Sequence, residues 1–66
     1  MMIEKYLTLL DSKIEAEKQR FIEELVDGRC IDFAVYRELS GVIRGLATAQ
    51  AEVRDLLRIA KEADEN

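Results

Sequence analysis

Apolar residues recur at helical spacing along two stretches of the chain, separated by a short break. Across 2–26, Ile3, Leu7, Leu10, Ile14, Phe21 and Leu25 form a stripe at three- and four-residue steps, as one face of an α-helix requires. Glu4, Lys5, Asp11, Ser12, Glu15, Lys18, Gln19 and Glu23 fall opposite, and the stripe has one gap, at Glu17 and Lys18. The stripe is narrow, closer to a coiled-coil seam than to the broad face of a globular helix.

The break spans Asp27, Gly28, Arg29, Cys30 and Ile31. Gly28 stands where a helix C′ residue adopts the left-handed conformation. Asp32 suits the N-cap of the next helix, because its carboxylate can accept the orphan N–H groups of the first turn. Across 32–63, Tyr36, Leu39, Ile43, Leu46, Val53, Leu57 and Ala60 hold a heptad-like seam broken once, at Gln50. A second seam runs beside it through Val42, Leu46, Ala49, Val53 and Leu56.

The pattern predicts an all-α fold: one antiparallel two-helix hairpin with helices at 2–26 and 32–63 and a turn at 27–31. At 1.5 Å per residue the rods are about 37 and 48 Å long. Folding about the turn is expected to bring Leu25 to Phe33, Phe21 to Tyr36 and Leu39, Ile14 to Ile43 and Leu46, Leu7 to Val53, and Ile3 to Leu57. The segment from about Ile59 would then overhang the first rod. It carries Glu62, Asp64 and Glu65, acids that oppose the helix dipole, and is expected to serve as a docking element. A narrow helix cannot cover a wide apolar face, so the hairpin is expected to pack against other chains.

Size sharpens that expectation. A chain of 66 residues buries roughly 60% of its unfolded surface and normally needs a disulfide, a metal or a partner. One cysteine and no histidine leave no internal disulfide and no ordinary zinc set, so a partner chain remains. No cofactor and no metal are expected. The net charge of −4 and pI near 4.7 argue against nucleic acid as the main partner. No apolar run approaches the roughly 18 residues of a membrane span. The first ten residues carry Glu4 and lack the basic start of a signal peptide. The lone thiol fits a reducing compartment.

Gly41 and Gly45 lie four apart in the second rod, continued by Ala49. Interior glycine costs roughly 0.5–1 kcal/mol against alanine, so the pair reads as a close approach by another helix or partner loop, or as a feature easing the hairpin's own packing. Arg44 between them excludes membrane pairing of the G-x-x-x-G kind. Arg37, Arg44, Arg54 and Arg58, with Arg20 and Arg29, read either as donors for a partner's carboxylates or as solvated charges paired along the helix with Glu38, Glu52, Asp55 and Glu62. Arg44 is the one nearest the glycine face. The candidate partner-binding residues are therefore Gly41, Val42, Arg44, Gly45, Ala49, Leu56 and Ile59. Tyr6, Phe33 and Tyr36 read as packing residues near the hairpin ends. Cys30 lacks a histidine to activate it, the acidic tail lacks cation-loop geometry, and no phosphate-loop, zinc-protease or serine-hydrolase motif occurs. No catalytic residue is assigned and an enzyme is not expected.

The run Tyr36-Arg37-Glu38-Leu39-Ser40-Gly41-Val42-Ile43-Arg44-Gly45-Leu46, then Ala49 and Val53-Arg54-Asp55-Leu56-Leu57, with the opening Ile3-Glu4-Lys5-Tyr6-Leu7, resembles small helical proteins encoded in the head-morphogenesis region of tailed bacteriophages. The resemblance implies a virion or assembly role, as a hairpin that self-associates or binds a capsid, portal or connector protein. Its location would be the virion, assembled in the host cytoplasm. Two other readings stay open: a phage-encoded inhibitor of a host or defence protein, and a cytoplasmic four-helix homodimer acting as an adaptor.

Overall fold

A computed structural model describes residues 2–27 and 32–65. It contains two helices, α1 at Met2–Val26 and α2 at Phe33–Glu65, packed antiparallel as an all-α hairpin. The molecule measures 52 × 14 × 11 Å. α2 starts at Phe33 because Asp32 caps it: the Val35 N–H donates to Asp32 Oδ1 at 2.9 Å, and the Tyr36 N–H closes the first turn on the Asp32 carbonyl at 3.1 Å. The C-terminal end of α2 runs two residues past the expected 63. The expected roles of Gly28 and Cys30 fall outside the described residues.

The core is thin. Val53 is the one buried hydrophobic side chain among the described residues, and α1 buries none fully. On α2 the less exposed residues include Leu39, Ile43, Leu46, Gln50, Val53, Leu57 and Ala60. These are the expected seam with its gap included, alternating as heptad positions a and d, and Ser40 and Ala49 beside it are half-buried too. Tyr36, at the head of that seam, is 50% exposed.

α1 is turned differently from the expectation. Its half-buried residues include Glu4, Leu7, Asp11, Ile14, Lys18, Phe21 and Leu25, so its a positions are mostly charged. Ile3 and Leu10, expected in the seam, are 50% and 44% exposed. The cause lies in the stripe itself, which winds around α1. Ile3 and Leu10 flank one side of the Leu7–Ile14–Phe21 line, whereas Ile22 and Leu25 flank the other. One straight partner helix covers only one flank, and here it covers Ile22 and Leu25, both half-buried.

The register differs too. Lys18 Nζ donates to Gln50 Oε1 at 2.7 Å, and Arg54 Nε donates to Asp11 Oδ1 at 3.0 Å. These bonds set the middle of α1 beside Gln50 and Arg54, about two helical turns further along α2 than the pairing of Ile14 with Ile43 and Leu46 implies. The overhang therefore moves to the other end. Every residue from 32 to 38 is exposed, whereas Leu57 and Ala60 are half-buried beside α1. Phe33 and Tyr36 pack on each other, with ring centroids 6.3 Å apart, rather than between the helices. Tyr6 is 59% exposed. The three aromatic packing assignments and the C-terminal overhang are corrected accordingly.

Candidate functional site

Two polar features fix how the hairpin closes. The first is a layer at its middle. Gln50 is 2% exposed. Its Oε1 accepts from Lys18, and its Nε2 donates to Glu15 Oε1 at 3.3 Å. Lys18 also lies 3.5 Å from Glu15. The layer satisfies itself, and no buried side-chain polar atom among the described residues lacks a partner. Hydrogen bonds from Gln19, then Gln50, hold the Glu15 carboxyl below its ordinary pKa, with the Lys18 charge adding to the effect. The gap at Lys18 in one stripe and the gap at Gln50 in the other thus face each other. Reading the two gaps together is the signal that gives the register, since an apolar seam alone is satisfied by a slip of one heptad.

The second feature is a rim on one side. Arg54 reaches Asp11 at 3.0 Å and Glu15 at 3.8 Å. Ser40, Ala47, Arg54 and Lys61 occupy this side of α2, the e positions. The other arginines mostly pair within their own helix. Arg58 bridges Asp55 at 2.7 Å and Glu62 at 3.0 Å, and Arg20 holds Glu17 at 2.7 Å. Both guanidinium groups have raised pKa values, chiefly from the hydrogen bonds to Asp55 and to Glu17. Arg37 sits 5.9 Å over the Phe33 ring. For these residues the pairing along the chain accounts for the charge, with no partner carboxylate required.

The opposite side is apolar. The g positions of α2 are Val35, Val42, Ala49, Leu56 and Ala63, one every seven residues. Val35 and Val42 are each 36% exposed and Leu56 is 53% exposed. Ile59, one ridge further out, is 48% exposed. In an antiparallel pair the g positions of both helices line one side, so Ile3 and Leu10 of α1 flank the same stripe, with Tyr6 beside them. At the open end this makes a continuous strip across both helices.

The candidate partner-binding residues distribute unevenly on this frame. Val42, Ala49 and Leu56 form the g stripe, and Gly45 and Ile59 border it. Gly41 lies beyond that border. Arg44 is about 100° around the helix from Gly45 and falls off the strip. A methyl group added at Gly41 or Gly45 meets nothing within 4 Å, so the glycines do not serve packing inside the hairpin. Ile3, Tyr6 and Leu10 belong to the strip although the sequence stripe assigned Ile3 and Leu10 to the hairpin seam.

Among the described residues there is no pocket, no group of three or more His, Cys, Asp or Glu placed to hold a metal ion, and no helix long and apolar enough to cross a membrane. What the molecule offers chemically is a two-sided rod: one flank polar and self-paired, the other apolar and open along α2 and at the open end of α1, with the Arg20–Glu17 pair on it towards the turn. The class is an all-α helical hairpin. No family model, curated protein or solved structure matches the chain.

Proposed function

We propose that this chain is an assembly protein of a tailed bacteriophage, a helical hairpin that self-associates or lies lengthwise on a capsid, portal or connector protein. The observation that supports an assembly role is the apolar strip of Val42, Leu56 and Ile59 with Ile3 and Leu10, left open on one flank while the other flank pairs its own charges. Buried apolar area is the main source of association energy, and contiguous exposed apolar patches mark interaction sites. The phage setting rests on the resemblance carried by the 36–57 run and the opening Ile3–Leu7 stretch. Its place would be the virion, reached by assembly in the host cytoplasm.

Quantitative mass spectrometry of gradient-purified particles tests the reading. The chain is expected at a fixed stoichiometry to the major structural proteins. A chain confined to infected-cell lysate and bound to a host protein overturns it in favour of an inhibitor.

A further inference from the structure

We propose that the strip is covered by a second copy of this chain, giving a four-helix bundle in which both turns lie at the same end. This rests on the assembly reading and names its first partner. Area supplies the first argument. The chain exposes 5095 Å². A compact monomer of its 7.6 kDa mass exposes about 4,300 Å². The excess, about 800 Å², equals the share that one partner contributes to a standard interface.

The distribution of that surface gives the orientation. The most exposed part of the strip is at the open end, where Ile3, Tyr6 and Leu10 of α1 lie beside Leu56 and Ile59 of α2, each between 44% and 59% exposed. A two-fold axis along the rods sets α1 of one copy over α2 of the other, apolar end on apolar end. It also brings Lys13, on the strip side of α1, level with Glu52 of the second copy, on the strip side of α2. Neither Lys13 nor Glu52 has an ion pair within the hairpin among the described residues, and the contact forms twice by symmetry. The alternative axis, across the rods, sets α1 over α1 and places Ile3 and Tyr6 against the turn-end acids Asp27 and Glu24. That arrangement parts Ile3 and Tyr6 from the exposed Leu56 and Ile59 of the second copy and so buries less apolar area where the strip is most open.

Spin labels on the single native thiol, Cys30, read the arrangement directly. Sedimentation should show a dimer, and the label-to-label distance should fall below about 30 Å, the width of a bundle with helices about 10 Å apart. Labels at opposite ends of a rod 52 Å long would lie beyond about 40 Å; that distance, or a monomer in sedimentation, overturns the proposal. Charge exchange gives an independent check that does not depend on deleting apolar contacts. Lys13→Glu and Glu52→Lys should each weaken dimerisation severalfold, and the double variant should recover it; a double variant weaker than both singles overturns the pairing. A monomer that is nonetheless present in particles removes the second copy and leaves the assembly role intact. A dimer absent from particles does the reverse.

Discussion

Replacing Gln50 tests the polar layer that closes the hairpin. In Gln50→Ala the Lys18 ammonium, whose side chain is 19% exposed, loses its 2.7 Å acceptor. A hydrogen bond to a charged group contributes about 1.5–3 kcal/mol net. The lost γ-methylene adds about 0.8 kcal/mol. Freeing the glutamine rotamers returns about 1.5 kcal/mol. The expected net loss is about 1–2.5 kcal/mol. For a chain of this size that lowers the melting temperature by on the order of 10 °C, measured by circular dichroism at one fixed protein concentration. Gln50→Leu behaves differently. It keeps the volume, Lys18 retains Glu15 at 3.5 Å, and burial of leucine contributes about 1.5–3 kcal/mol. Stability should stay within about 1 kcal/mol of the parent. Register should not: with an apolar residue in the gap, a one-heptad slip costs little, and the seam amides should show more than one set of NMR resonances. An alanine variant that loses less than about 0.5 kcal/mol, together with a leucine variant of single register, would refute the reasoning.

Asp32→Ala should cost about 1 kcal/mol, because it removes the acceptor of the Val35 N–H; urea unfolding with no change in midpoint would mean the cap is not formed. Gly41→Ala should stabilise by about 0.5–1 kcal/mol, since the added methyl meets nothing and helix propensity improves; a lower melting temperature would show that something occupies that space. Glu15 has a depressed pKa from its bonds to Gln19 and Gln50. Its contribution is therefore complete above the ordinary glutamate range and lost as pH falls through the depressed value. Glu15→Gln should flatten the acid limb of the urea midpoint against pH, and an unchanged limb would count against the layer.

Fold class was legible because the evidence for it is local. Helical spacing, Asp32 as a cap and a break too short for another element all act within a few residues. The rotation of α1 was not legible from its own stripe, which carries Ile3 and Leu10 on one flank and Ile22 and Leu25 on the other. Which flank turns inward depends on α2, where Gln50 and Arg54 take up Lys18, Glu15 and Asp11. Register failed for the same reason: apolar residues are interchangeable between heptads, and the one polar match between helices decides. The open strip was half legible. Val42, Ala49, Leu56 and Ile59 follow from α2 alone, whereas Ile3, Tyr6 and Leu10 join only once α1 is turned. Arg44 was drawn in by its neighbours in sequence, but one residue along a helix is a rotation of about 100°.

The central claim is that a single hairpin leaves its apolar strip unsatisfied and is completed by association. Thermal unfolding followed across about a hundredfold range of concentration tests it most directly, because a folded state held together by association becomes more stable as concentration rises. The account predicts a melting temperature that climbs with concentration, with Leu56→Lys abolishing the climb. A sharp, cooperative transition at one temperature throughout the range would contradict it.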